Sequence, residues 1–263
     1  MDLGLDGRVA LISGGSRGIG RAIAMQLAQE GCDVTLVSRT EADLKEAAVA
    51  ITGETGRRVE ICATDLRSPQ GCEAAVGAHT EAFGRLDILI NNAGATAAGT
   101  FLEVDDADWE DGFALKFYSY LRLARDLWPM LVAADDGAVI NIIGLFSKTP
   151  NELFAVGGAV NTAVTSLSQS MANQGLLDGV AVNAVHPGLT LTDRFEMILT
   201  ARAEREGMSR EDLVAADKEG LGIRGYSKPE DIAALVAFLV SPVGRQVHGA
   251  DVFIDGGQTK SIL

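Results

Sequence analysis

The residues best placed to do chemistry in this chain of 263 residues form an octet near its start, Ser13-Gly14-Gly15-Ser16-Arg17-Gly18-Ile19-Gly20. A short apolar run, Val9 to Ser13, leads into it and a helical pattern, Arg21 to Gln29, follows. In that order the glycines let the backbone turn sharply and approach a ligand. Free N–H groups at the helix start then attract the charge of a pyrophosphate. The same octet contains Gly14-Gly15-Ser16-Arg17-Gly18, which also fits the G-x-S-x-G nucleophile elbow of hydrolases. Such an elbow needs earlier strands to supply its oxyanion loop, and only twelve residues precede Ser13. The nucleotide reading is therefore the stronger. The second apolar run ends at Ser38-Arg39, where the residue that meets an adenosine ribose belongs. An acid there would accept from a 2′-hydroxyl, whereas Arg39 offers a guanidinium suited to a 2′-phosphate, with Arg17 in the same corner. These residues imply NADP(H) in preference to NAD(H).

The elements that must position these groups alternate along the chain. Val9 to Ser13, Asp33 to Ser38, Val59 to Cys62, Leu86 to Asn91, Ala138 to Ile143, Val180 to Val185 and Asp251 to Ile254 read as strands, with helical patterns in every gap. Strands that are apolar on both faces need helices on both sides. Right-handed crossovers then predict an α/β fold, a doubly wound (Rossmann) parallel sheet of about seven strands. No linker or repeat divides the chain, so residues 1–263 read as one dinucleotide-binding domain. The most irregular and polar stretch, 189–226, follows the sixth strand and carries Arg194, Arg202, Arg205, Arg210 and Arg224 among many acids. Ligands lie beyond the carboxyl ends of such strands, which makes this stretch a candidate substrate lid. A solvated helix face accounts for the same charges equally well.

Composition excludes several partners. With 22 Lys+Arg against 36 Asp+Glu, the net charge of −14 would repel nucleic acid, and no basic run offsets it. Apolar stretches such as Ile232 to Val240 fall far short of the roughly 20 residues that span a bilayer. The opening Met1-Asp2-Leu3-Gly4 lacks the basic region of a secretory signal. A cytoplasmic protein acting on a small molecule is expected. The cysteines Cys32, Cys62 and Cys72 are odd in number and set among apolar neighbours, and the histidines His79, His186 and His248 are scattered. Reduced thiols and no metal site are expected.

Several motifs together resemble the short-chain dehydrogenase/reductase family over almost the whole chain. Ser13 to Gly20 is similar to its T-G-x-x-x-G-x-G turn, and Thr64-Asp65-Leu66 to its adenine-contacting segment. Asn91-Asn92-Ala93-Gly94 matches its N-N-A-G. Val182-Asn183-Ala184-Val185-His186-Pro187-Gly188, followed by Thr190 and Thr192, resembles the V-N-x-x-x-P-G-x-x-x-T that borders the nicotinamide, and Asp255-Gly256-Gly257 its closing D-G-G. The resemblance implies that Asp65, Leu66, Asn92, Ala93, Gly94, Pro187, Gly188, Thr190 and Thr192 join the glycine turn, Ser38 and Arg39 in holding the cofactor.

The departure lies in the chemistry. The family reduces carbonyls or oxidises alcohols with an Asn-Ser-Tyr-Lys tetrad, and all four residues are missing here. Counted back from Asn183, the tyrosine and lysine positions fall on Gly157 and Asn161, the serine position on Gly144, and the asparagine position, counted on from Trp109, on Lys116. Lys116 and Asn161 thus exchange the residue types that the family puts at those two places. The exchange implies an ammonium and an amide side by side in the active site, with a lowered Lys116 pKa suited to proton transfer; the competing reading has Lys116 snorkelling to solvent. Gly144 and Gly157 predict a wider, less polar pocket. Replacement donors are Lys116, Tyr120, Ser147, Thr149 and Glu152. Tyr120 also reads as core, Ser147 and Thr149 as caps of a helix beginning near Glu152, and His186 as a packed residue.

Three functions follow: an NADP(H)-dependent oxidoreductase with a rebuilt proton donor, acting on a bulky or cyclic carbonyl or alcohol; a lyase, dehydratase or isomerase using Lys116 or Glu152; and a non-catalytic nucleotide-binding subunit. The first accounts for the nearly intact cofactor motifs. By analogy with the family, a homodimer or homotetramer is expected, with Phe113, Leu115, Phe117, Leu121 and Leu127 offering apolar surface.

Overall fold

Alternation along the strands decides the architecture. In β1 (Val9–Ser13) Ala10 and Ile12 join one apolar cluster and Leu11 another. In β4 (Ile88–Asn91) Ile88 and Ile90 face the first and Leu89 the second. Such strands are buried on both faces, which is why they read as unbroken apolar runs. The computed structural model describes residues 1–260; 261–263, which the sequence places in the same domain, lie outside the described residues.

The remaining strands are β2 (Asp33–Ser38), β3 (Val59–Ala63), β5 (Ala138–Ile142), β6 (Ala181–Pro187) and β7 (Asp251–Ile254). All seven pair in parallel, as the sequence pattern predicts, and the structure gives their order as β3-β2-β1-β4-β5-β6-β7. The first cluster is closed by α1 (Gly18–Gln29), α2 (Glu41–Thr55) and α9 (Pro229–Leu239). The second is closed by α3 (Pro69–Phe83), α5 (Ser119–Ala133) and α6 (Ala155–Asp178). The strand order turns back between β1 and β4, and the crevice beyond their carboxyl ends is where such sheets receive ligands.

Two local departures from regular structure matter for that crevice. The helix leading into α5 begins as α4 (Asp106–Gly112), then widens into a π-helical turn over Phe113–Tyr118. Such turns displace side chains and recur at functional sites, and this one carries Lys116. After β6 the chain forms α7 (Asp193–Glu206) and α8 (Arg210–Leu221), each capped by its own side chain, Thr192 and Ser209. The apolar residues expected at a subunit surface are largely spent internally. Leu115 and Leu127 are buried in the second cluster, while Phe113 and Phe117 pack against Tyr120 and Val160. Among the described residues no helix is long and apolar enough to cross a membrane. The same residues contain no cluster of metal ligands, and all three cysteines are free.

Candidate active site

Where β1 meets β4, the sequence motifs hold one another in place. Ser13 Oγ accepts from the backbone N–H groups of Asn92 and Ala93 at 2.9 and 3.0 Å. In return, Asn92 Nδ2 donates to the carbonyls of Ser13 and Gly14. Gly14 has φ +69°, and a Cβ there would stand 2.8 Å from Asn92 Nδ2, so the turn admits only glycine. Around it opens a cleft of about 510 Å³ lined by Gly14, Ser16, Arg17, Ile19, Ser38, Arg39, Asp65, Leu66, Asn92, Ala93, Gly94, Pro187, Gly188, Thr190 and Thr192. Gly18 and Gly20 lie behind this wall. A Cβ on Gly20 would sit 2.2 Å from the Gly14 carbonyl oxygen, so its part is to let α1 pack on the turn.

The electrostatics of the cleft suit a dinucleotide carrying a 2′-phosphate. The start of α1 has no side-chain cap and no acid in its first turn, which leaves its N–H groups and positive dipole end for an external anion. Ser38 Oγ is buried without a hydrogen-bond partner. Arg17 and Arg39 form no ion pair among the described residues. A buried hydroxyl without a partner costs stability unless a polar group meets it, and the two exposed guanidiniums are free to bind an anion in the same corner.

Lys116 lies at the inner end of the cleft. Its Nζ donates to Asn161 Oδ1 at 2.7 Å and also to the Ile143 carbonyl. Gly94, the last residue of the N-N-A-G turn, makes room for the lysine stem: a Cβ there would stand 3.2 Å from Lys116 Cδ. The amine is therefore turned inward and does not snorkel. Burial without a compensating carboxylate lowers its pKa from 10.5 to about 7.

The widening predicted at Gly144 and Gly157 is not realised at the second of them. Phe154 folds its ring over Gly157, and a Cβ on that glycine would lie 1.9 Å from Phe154 Cε1. The space beside Gly157 is thus taken by an aromatic ring, which keeps this wall apolar and does not enlarge it. At Gly144 the backbone has φ +130° and ψ 155°, a region open essentially to glycine. A Cβ there would approach Asn161 Nδ2 to 3.2 Å. Beside these residues a second cavity of about 350 Å³ continues from the cleft. It shares Lys116, Gly144 and Phe195 with the cleft and adds Phe146, Phe154, Asn161, Arg194 and Ile198.

Several candidates lie elsewhere. Tyr120 is fully buried and its hydroxyl donates to the Ile142 carbonyl at 2.9 Å, so it is a core residue and not a donor to the site. Ser147 lines neither cavity; its hydroxyl lies between the Gly144 carbonyl and His186 Nδ1. His186 in turn contacts Asp251 Oδ1 at 3.2 Å through Nε2 and stacks on Phe253, fastening β6 to β7 and to the loop after β5. Neither Ser147 nor Thr149 caps α6, which begins at Ala155 after an uncapped Phe154, and Glu152 is exposed outside both cavities. In the 189–226 stretch, Arg202 binds Asp217 at 2.7 and 2.8 Å, Arg210 binds Glu196 and Arg205 approaches Glu206. Arg194 alone of the five lines the second cavity. The sequence did not single out Phe146, Phe154 or Phe195. No local pattern marked Phe154: it lies just ahead of α6 with a non-helical backbone, so helical spacing does not foretell that its ring folds over Gly157.

Comparison with known proteins agrees with this geometry. The family model described as short chain dehydrogenase matches residues 8–203. An uncharacterized oxidoreductase of Mycobacterium tuberculosis is 35% identical over 256 residues, 97% of this chain and 93% of that protein. The structure of L-sorbose reductase from Gluconobacter frateurii, complexed with NADPH and L-sorbose, superposes with a TM-score of 0.95 at 32% identity, covering 100% of both chains. An NADPH-bound short chain oxidoreductase from Pseudomonas aeruginosa PAO1, described as containing an atypical catalytic center, gives a TM-score of 0.88 at 27% identity and 97% coverage of each chain.

Proposed function

The chain belongs to the short-chain dehydrogenase/reductase family, and from that premise we propose that it is an NADP(H)-dependent oxidoreductase in which Lys116 takes the place of the family's tyrosine as proton donor. Relatives solved with NADPH support the cofactor, as do Arg17, Arg39 and the unpartnered Ser38 hydroxyl. The turn from Gly14 to Ile19 would hold the pyrophosphate, and Ser38, Arg39 and Arg17 the 2′-phosphate. Asp65 and Leu66 would meet the adenine. Asn92, Ala93, Gly94, Pro187, Gly188, Thr190 and Thr192 would border the nicotinamide. When bound, NADP(H) supplies or removes a hydride at the substrate carbon.

The single observation that carries the reading is the Lys116 amine, held by two carbonyl oxygens at the junction of the two cavities. An ammonium has three N–H bonds. Two are spent on Asn161 Oδ1 and the Ile143 carbonyl, and the third remains for a substrate oxygen. A neutral amine has two N–H bonds, which satisfy the same acceptors, and a lone pair in the third direction. One geometry therefore serves as acid in carbonyl reduction and as base in alcohol oxidation. The three phenylalanines lining the second cavity favour a bulky or cyclic substrate, with α7 and α8 as its lid. The same apolar surroundings restrict the entry of water to the amine.

The test is consumption of NADPH by the purified protein with a panel of aryl and cyclic ketones, repeated with Lys116→Met. Turnover by the wild type that drops by about 10² to 10⁴ in the variant, at unchanged NADPH affinity, is the expected result. Undiminished turnover in the variant, or none in the wild type across the panel, overturns it.

A further inference from the structure

We propose that the second cavity selects an anionic aromatic substrate, its carboxylate bound by Arg194 and its ring packed among the phenylalanines; this rests on the reading of that cavity as the substrate site. Phe146, Phe154 and Phe195 line it, with the first two rings 5.2 Å apart. Such surfaces receive a planar apolar body. Only two charged residues line the cavity, Lys116 and Arg194, and both are cations. In a chain of net charge −14, a cavity wall without a carboxylate is a local reversal of sign.

The two cations differ in what remains available to a ligand. Lys116 is engaged by Asn161 and Ile143. Arg194 forms no ion pair among the described residues, although three other arginines of the same segment, Arg202, Arg205 and Arg210, are each matched to an acid of α7 or α8. Pairing those three leaves one guanidinium facing the cavity with its full charge and all five N–H donors. A guanidinium matches a carboxylate in planar, bidentate fashion. The reactive carbonyl would lie toward Lys116 and the carboxylate toward Arg194, with the ring between them.

The experiment is calorimetric titration with 2-naphthoate and 2-naphthamide, which share shape and differ in charge, against the protein with and without saturating NADPH. The expected result is a preference for naphthoate of roughly tenfold or more. Arg194→Gln should abolish that preference and leave naphthamide and NADPH affinity unchanged, while Phe154→Leu should weaken both probes alike. Equal affinity for the two probes, no binding of either, or a preference that survives Arg194→Gln overturns the proposal. A fall in NADPH affinity in Arg194→Gln also overturns it, because the arginine then belongs to the nucleotide. Because the readout is binding, loss of the charge preference is distinguishable from failure of the redox reading, which would show as intact probe selectivity without turnover.

Discussion

Lys116 and Asn161 stand on different helical segments, and their side chains meet through one hydrogen bond, Nζ to Oδ1 at 2.7 Å. The motif register implies that the family carries these two residue types the other way round, so that here the amide stands on α6 and the charge on the π-helical turn ahead of α5. There, the wider winding and Gly94 give the amine a path to the cleft.

Asn161 is expected to position Lys116 and to set its acidity. Asn161→Asp puts a carboxylate beside the amine, which favours the charged form and should shift the pH profile of turnover upward by at least about one unit. Asn161→Leu leaves an N–H unpartnered and should lower kcat by roughly tenfold while KM changes little. Identical pH profiles in wild type and Asn161→Asp would refute the role.

With a pKa near 7 for Lys116, carbonyl reduction should be fast below about pH 7 and decline above it, and alcohol oxidation should show the opposite trend. Stability carries the same signature. The folded amine holds its proton less tightly than the unfolded one, so unfolding takes up a proton between about pH 7 and the unfolded value of 10.5. This site's contribution to stability therefore rises with pH across that window. The difference in unfolding free energy between wild type and Lys116→Met, followed from pH 6 to 10 by denaturant titration, isolates the effect. A flat difference would place the amine's pKa outside the window.

At the nucleotide end, Arg39→Asp should reverse the cofactor preference. Losing a charge-assisted contact and adding a repulsive carboxylate should weaken NADPH by about 10² or more and improve NADH. Calorimetry with both nucleotides measures this, and equal losses for the two would show that Arg39 does not read the 2′ position.

Gly144→Ser, which introduces the residue type that the motif register implies for the family at this position, should destabilise the fold by ~1–3 kcal/mol, because the backbone conformation there is one that side chains resist. Thermal unfolding of the variant reads the cost directly. An unchanged Tm would mean that the loop relaxes to another conformation.

The central sheet was legible because strands buried on both faces leave unbroken apolar runs, and β1 and β2 agree with the sequence to the residue, as does the half-exposed edge strand β7. The glycine turn, and the meeting of Lys116 with Asn161, were legible from motif register. Other features depend on contacts between distant segments, which no local pattern encodes. Tyr120 and Ser147 have the polar groups of site residues, yet the carbonyls of Ile142 and Gly144 and the ring of His186 take those groups up. Likewise, Arg194 resembles Arg202, Arg205 and Arg210 until the carboxylates that neutralise those three are located.

The ring of Phe154 over Gly157 makes the order of genetic change matter. A tyrosine introduced at 157 meets an occupied volume, so Gly157→Tyr alone should destabilise by ~1–3 kcal/mol or more, and unfolding of the single and double variants would show Phe154→Ala relieving most of that loss. A tyrosine at 157 is thus disfavoured until the phenylalanine has gone. Loss of the phenylalanine first would open the cavity without restoring a hydroxyl. On the reading of Lys116 as proton donor, the two positions would behave as a ratchet, because neither substitution alone provides an accommodated tyrosine at 157.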